Sequence, residues 1–307
     1  MSFKKNIGLL LKKCLPTKIY RIVANGIIIV PSYYKSIIEE NEKYLTYSLK
    51  EDIHKDILLM RKYAHIIDKG LHRSDASPGH SGNYANLLRE IIERLSISYY
   101  KEDPTFLWAK SKLEYYDLLQ SSPEKFKNFK AEVPKCNITF EQLYEVITQR
   151  RSNRDFQERV IDQTTADKLT SIANWASSSC NKQPIEIYTA LNPKLAKECL
   201  ACCKGGTGFS DYIPSLWVFT ADSRGYIWPS EMYLPYIDVS LGVQNLLLAA
   251  HTLGISGTIL SWAQKSLEEE IALRKLLKIP KEYIIICCAV LGYAKRHFLT
   301  PSRKRIR

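Results

Sequence analysis

Arg150-Arg151-Ser152-Asn153-Arg154 puts three guanidiniums and a hydroxyl within five residues. Each guanidinium offers paired N–H donors that match phosphate oxygens, so the segment can clamp a dianion. Placed directly after a helix, the same charges would also answer the helix dipole without binding anything. A second polar run, Ala176-Ser177-Ser178-Ser179-Cys180-Asn181-Lys182-Gln183-Pro184, lies between a helix and a strand. Its hydroxyls and amides supply both donors and acceptors, the mix that a flavin ring edge requires. Its plainer reading is a polar turn.

Three further segments carry chemistry-bearing types. Asp238 opens an apolar run through Gln244-Asn245 and Ala249-Ala250 to Leu253-Gly254, followed by Ile255-Ser256-Gly257-Thr258. This reads as a helix ended by a glycine-rich turn, where the backbone at Gly257 and Thr258 can approach a ligand closely. Gly292-Tyr293-Ala294 closes an apolar strand, and the basic tail Thr300-Pro301-Ser302-Arg303-Lys304-Arg305 follows it. A strand feeding a tail can aim its charges. In the first half, Arg61-Lys-Tyr-Ala-His65-Ile-Ile-Asp68 places His65 and Asp68 three apart, on one helix face. They form either an acid–base pair or a structural hydrogen-bonded one.

The elements that must position these residues follow from periodicity. Leu45, Leu49, Ile53, Ile57 and Met60 keep helical spacing over 36–67, with a break near Thr46. A polar Ser/Gly/Pro stretch over 72–83 reads as loop, 84–100 as helix, and Asp103-Pro104 as the start of another helix running to about 119. Lys-rich 121–135, with Pro123 and Pro134, reads as a linker. From Thr139, whose Gln142 completes a capping-box pattern, helices and strands alternate. Helices are expected to about 149 and over 163–177, 193–203, 235–253 and 265–277, and strands over 184–191, 215–221 and 283–292. The last, nearly all apolar, suits a central strand covered on both faces.

The net charge of +12 is concentrated at the ends. Residues 1–35 carry seven basic residues and 295–307 carry six, without an acid in either stretch, and the body between is near neutral. That distribution argues against nucleic acid as partner and for local anion sites or an anionic surface. Residues 3–31, basic and amphipathic with Pro16 inside, are either a helix lying on an anionic membrane face or one packed on the protein. Ala24–Val30 is too short to span a bilayer and no cleavage site follows it, so no leader or span is read. Of eight cysteines, Cys287 and Cys288 sit in an apolar run as buried thiols. Cys199-x-x-Cys202 has metal spacing but no second pair follows, so no metal is expected. Reduced thiols fit a cytoplasmic protein, with a peripheral membrane position open.

The Arg-Arg-Ser-x-Arg start, the Ser-Ser-x-Asn-x-Gln-Pro loop, the Asp…Gln-Asn-Leu-x-Leu-Ala-Ala…Leu-Gly helix and the Gly-Tyr strand with its basic tail come in the order found in the nitroreductase family, which the chain resembles over some 165 residues. The resemblance implies an α+β fold, a mixed sheet flanked by helices, over 136–307, preceded by a mainly helical extension over 1–135. It implies a homodimer with FMN at the interface and NADH or NADPH as electron donor. Arg150, Arg151, Ser152 and Arg154 with Arg303 and Arg305 would hold the phosphate. Ser178, Ser179, Asn181 and Gln183 would lie along the ring, with Gly257 and Thr258 beside it. No side-chain nucleophile is implied, because flavin N5 carries the chemistry. Ser177 stands where the family often has Pro, and Ile185 where it usually has an aromatic. The stretch around Arg61–Leu71 is similar to an extension on nitroreductase-like proteins associated with bacterial surface-polysaccharide clusters. Three functions stay open: hydride transfer to a quinone, nitroarene or similar acceptor; redox action on a sugar- or lipid-linked intermediate; and a non-enzymatic partner at a membrane surface.

Overall fold

The computed structural model describes residues 52–127, 135–226, 228–262 and 265–296, together with Pro16, Ile19 and Val23. The candidate membrane helix at 3–31, the expected helix before residue 52, and Arg303 and Arg305 therefore lie outside the described residues, apart from those three positions. Among the described residues, no helix is long and apolar enough to cross a membrane.

The first half forms a small helical stack. Helix α1 (Ile53–Leu71) starts at Asp52, whose carboxylate accepts from the Lys55 amide at 2.9 Å. Such a cap contributes about 1 kcal/mol by satisfying an orphan donor. Helix α2 (Gly82–Ser96) follows, then α3 (Pro104–Ser121), capped by Asp103 with Pro104 in its first turn. Met60, Ala64 and Ile67 of α1, Leu88 and Ile91 of α2, and Phe106, Ala109 and Leu113 of α3 bury one another in a core of their own. The stretch expected to be linker opens with one short helix, α4 (Pro123–Lys127).

The second half is a layered α+β unit. It begins with α5 (Phe140–Gln149), where the capping box forms: Gln142 N donates to Thr139 Oγ1 and Thr139 N donates to Gln142 Oε1. In chain order come α6 (Gln163–Ala173), β1 (Ile185–Ala190), α7 (Pro193–Ala201), β2 (Leu216–Asp222), α8 (Leu234–Thr252), β3 (Ile255–Ser261), α9 (Leu267–Leu277) and β4 (Tyr283–Tyr293). The sheet order is β1-β2-β4-β3. All three pairings are antiparallel, so over these strands the expected mixed sheet is an antiparallel one.

Alternation along β2 sends side chains to both faces. Leu216 and Val218 pack with Cys288 and Val290 against α7 and α9, while Trp217 and Phe219 pack with Ala289 and Leu291 against α6 and α8. Central β4 is thus covered on both sides, as its apolar sequence requires. Gly242 lets α8 approach closely: a Cβ there would meet Ile185 Cδ1 at 2.2 Å and the Ala173 carbonyl at 2.7 Å.

A second expectation is corrected. Ile255–Ser261 is a strand, not a glycine-rich turn. Gly257 is small because its register partner on β4 leaves no room; a Cβ would meet Leu291 Cδ2 at 2.1 Å and the Val290 carbonyl at 2.5 Å. Close packing of two strands therefore accounts for the glycine that suggested ligand approach.

Candidate functional site

The Arg150–Arg154 segment leaves α5 and runs into the sheet end where β4 finishes. Asn153, which sequence reasoning passed over between its charged neighbours, is the anchor. It is buried, its Nδ2 donates to the Arg296 carbonyl at 2.6 Å, and its Oδ1 accepts from the Asp155 amide at 2.8 Å. Its own carbonyl accepts from Thr258 Oγ1 at 2.7 Å. Thr258 is thus buried in a bond to this segment. Beyond it, Gln157 N donates to the Tyr293 carbonyl at 2.9 Å and Lys295 N to the Asp155 carbonyl at 3.0 Å. The strand that feeds the basic tail therefore runs beside the arginine segment as far as Arg296, whose guanidinium lies 3.5 Å from Asp155.

The arginines divide by role. Arg151 turns back on its own helix, donating to the carbonyls of Arg150 and Thr148, which answers the C-terminal end of α5. Ser152 and Arg154 are exposed, with Arg154 stacked 5.8 Å from the Phe209 ring centre. Arg150 is half-buried at the helix cap.

The Ser178–Gln183 loop sits at the other end of the sheet. Ser179 donates twice to Asp238 Oδ1, from its amide and its hydroxyl, both at 2.9 Å. Tyr226 Oη donates to Asp238 Oδ2 at 2.8 Å. Burial and the adjacent Asp238 carboxylate push the Tyr226 phenol far up, so it stays a donor. Ser178 Oγ accepts from the Gln183 amide at 3.0 Å. Cys180, Asn181 and Gln183 have φ of 54°, 51° and 50°, a left-handed backbone that costs each of them energy and is characteristic of functional loops.

These bonds turn Ser179 into the loop and use Ser178 Oγ as an acceptor, leaving the Ser178 hydroxyl proton and the two amide side chains. Gln183 Nε2 donates to Asn181 Oδ1 at 3.1 Å. The remaining halves, Asn181 Nδ2 and Gln183 Oε1, are a donor and an acceptor side by side on partly exposed residues. That is the complement of a ring edge with alternating carbonyl and N–H groups.

Lys182 is fully buried and was read in sequence only as part of a polar turn. Its Nζ lies 2.8 Å from Glu231 Oε1 and 4.3 Å from the Tyr226 ring centre. Lys62 of α1 reaches the same Glu231 oxygen at 3.4 Å. Burial pushes the Glu231 carboxyl up, but the Lys182 hydrogen bond and the charges of Lys182 and Lys62 outweigh it and hold it below its ordinary value.

The two halves do not meet within one chain. The loop precedes Ile185, which pairs with Ala221 and through it lies level with Ile284 on β4, whereas the arginine segment bonds through Asn153 to Arg296, just past the end of β4, and to Thr258, which is level with Val290. The separation along that strand is about 20–30 Å at roughly 3.3 Å per residue. Helix α8 spans the same gap, from Asp238 at the loop to Thr252 near β3.

His65 and Asp68 are not a hydrogen-bonded pair. Asp68 turns to Lys112 at 2.7 Å and His72 at 3.5 Å, and burial lowers the His65 imidazole despite the Asp68 charge. Asp68 and Lys112 border a cavity of about 480 Å³ confined to the helical half. Cys199 is buried in α7 among apolar neighbours, and burial drives its thiol to about 12.

The family model described as Nitroreductase family matches residues 147–207 and 221–293. A putative NADH dehydrogenase/NAD(P)H nitroreductase of Archaeoglobus fulgidus is 29% identical over 155 residues, covering 50% of this chain and 87% of that protein. An oxygen-insensitive NADPH nitroreductase of Salmonella typhimurium is 24% identical over 158 residues, covering 48% of this chain and 64% of that protein. Among solved structures, an FMN-dependent nitroreductase of Clostridium difficile aligns with 21% identity and a TM-score of 0.46, over 52% of this chain and 91% of that one.

Proposed function

We propose that this chain, whose residues 147–207 and 221–293 carry the nitroreductase-family sequence, is an FMN-dependent oxidoreductase that builds its site between two copies of itself. The observation that carries the reading is the placement of the two polar segments at opposite ends of β4. A mononucleotide is too short to run along most of β4 from one segment to the other, whereas a two-fold pair can bring the Ser178–Gln183 loop of one copy to the Arg150–Arg154 segment of the other, twice.

The surface supports such a pairing. Phe140, Leu143, Tyr144 and Ile147 of α5 are 74%, 50%, 58% and 47% exposed. Tyr233, Ile237 and Leu241, spaced four apart at the start of α8, are 63%, 54% and 45% exposed. Two apolar stripes on neighbouring helices are more than a monomer normally leaves in water. Burying them in an isologous contact would place α8, which spans both halves, at the interface.

In this site Arg150, Ser152 and Arg154 donate to the FMN phosphate, assisted by Arg303 and Arg305 of the tail. Asn181 and Gln183 read the ring edge, and Ser178, Ser179 and Asp238 hold the loop in shape. Gly257 and Thr258 act from behind the arginine segment, through the Thr258 bond to Asn153. When bound, FMN would supply the redox chemistry between NADH or NADPH and an organic acceptor of the quinone or nitroarene kind. The protein's share is orientation, charge and exclusion of water. The test is the absorbance spectrum of purified protein equilibrated with FMN and desalted. A retained oxidised-flavin spectrum that bleaches with NADH or NADPH supports the reading; colourless protein refutes it.

A further inference from the structure

The matched family segment begins at residue 147, yet the loop at 178–183 is held from outside it. Helix α1 crosses behind this loop. Arg61, 8% exposed, donates from Nε to the Asn181 carbonyl at 2.6 Å and from Nη1 to Thr105 Oγ1 at 2.8 Å. Its guanidinium stacks 5.2 Å from the Trp108 ring centre.

The chemistry of this contact is unusual. Among the described residues, no carboxylate pairs with Arg61. Its hydrogen-bond partners are two neutral oxygens, and burial lowers its guanidinium to about 10 against the more distant pull of Asp103. Burying an arginine without a partner charge is costly and adds little to stability by itself. What the bond does is fix one peptide. The Asn181 carbonyl belongs to a residue at φ 51°, between Cys180 at 54° and the loop's close at Gln183. The Arg61 Nε–H supplies the donor that this partly buried carbonyl needs. Thr105 and Trp108, both on α3, hold the guanidinium plane from the far side.

We propose that Arg61 is a positioning residue for the cofactor loop: it clamps the Asn181 peptide so that the Asn181 and Gln183 side chains face the ring edge. The helical first half is then a structural part of the site, joined to it by Arg61 on Asn181, Lys62 on Glu231 and Asp52 on Arg224 at 2.9 Å. The inference rests on the reading of 178–183 as the ring-side wall.

The experiment compares Arg61→Ala, Arg61→Lys and Thr105→Val in the full chain, by FMN titration and by hydrogen exchange of the flavin-free protein. Arg61→Ala should weaken FMN binding about tenfold or more, the scale of one charged hydrogen bond. It should weaken riboflavin equally, because the phosphate end is untouched. Exchange should rise in peptides covering 178–183 and stay constant over 150–156. Arg61→Lys, which keeps one donor, should recover part of both effects, and Thr105→Val should stay within about threefold of wild type, since the Asn181 bond survives. Unchanged exchange at 178–183 in folded Arg61→Ala overturns the clamp. So does an Arg61→Lys as impaired as Arg61→Ala. If wild type takes up no flavin, the functional reading fails, while the exchange comparison still decides whether Arg61 holds the loop. If Arg61→Ala does not fold, Arg61→Met, which keeps the chain's bulk and has no donor, carries the decision: raised exchange confined to 178–183 supports the clamp and unchanged exchange refutes it.

Discussion

Asp238 Oδ1 accepts both the amide and the hydroxyl of Ser179, each at 2.9 Å, so one carboxylate on α8 fixes the start of the Ser178–Gln183 loop. Its other oxygen takes the Tyr226 phenol at 2.8 Å, which ties the loop to the chain entering α8. The carboxylate is buried, so every one of these donors depends on it.

Asp238→Ala should therefore lower stability by about 3 kcal/mol or more, the cost of stranding buried donors. Asp238→Asn keeps one acceptor for Ser179 and presents an amide to the Tyr226 hydroxyl, which can reverse its role, so about 1 kcal/mol is expected. Urea unfolding at an unchanged slope measures both. Equal losses in the two variants would mean that the carboxylate's charge matters more than its shape.

Arg154 is exposed and has no carboxylate partner among the described residues, as suits a group waiting for an anion. Arg154→Ala should weaken FMN binding roughly tenfold to a hundredfold and leave riboflavin binding nearly unchanged, since only FMN carries the phosphate. Parallel fluorescence titrations with the two flavins give the ratio. An equal loss for both would move Arg154 away from the phosphate.

The apolar stripes predict an oligomer that one charge disrupts. Ile237→Asp should sediment as a monomer where wild type is a dimer, and should lose flavin with the interface. Ile97→Asp, at a residue 93% exposed in the helical half, should keep both. A wild-type monomer that retains flavin would contradict the pairing.

Glu231 gives the acid limb. Its carboxyl is held below its ordinary value of 4.5, because Lys182 and Lys62 outweigh the cost of burial. A depressed carboxylate contributes stability that is present above the unfolded value and is lost as pH falls through the folded one. Denaturation midpoints should therefore fall as pH drops below about 4.5, with Lys182 left buried beside a neutral acid. Glu231→Gln should be less stable at pH 7 and show a shallower decline in acid. An unchanged acid limb in the variant would assign that loss to other carboxylates.

Much of this architecture is written locally. Thr139 and Gln142 announce α5 because a capping box is a contact between near neighbours. Leu216–Asp222 and Tyr283–Tyr293 announce strands because alternation and continuous apolarity are read without knowing partners. What escaped depends on distant contacts. Gly257 looked like a turn former, since nothing near it in sequence tells that Leu291 will press on it. Lys182 looked solvated because Glu231, which permits its burial, lies far along the chain. Arg61 was visible as a residue, but its bond to Asn181 joins the two halves of the molecule. The bonds of Ser179 to Asp238 and of Gln183 to Ser178 and Asn181, which shape the loop, likewise depend on how the chain folds back on itself.

The most direct test is flavin uptake by mixed pairs. One variant carries Arg150→Glu and Arg154→Glu, which repel the phosphate; the other carries Asn181→Gly and Gln183→Gly, which remove the ring contacts without straining a left-handed backbone. Each alone should bind no FMN. Unfolded together and refolded as a mixture, they should regain flavin, because a mixed pair joins the intact arginine segment of one chain to the intact loop of the other. A mixture that stays colourless, beside a wild type that binds FMN, would contradict a site built between two copies.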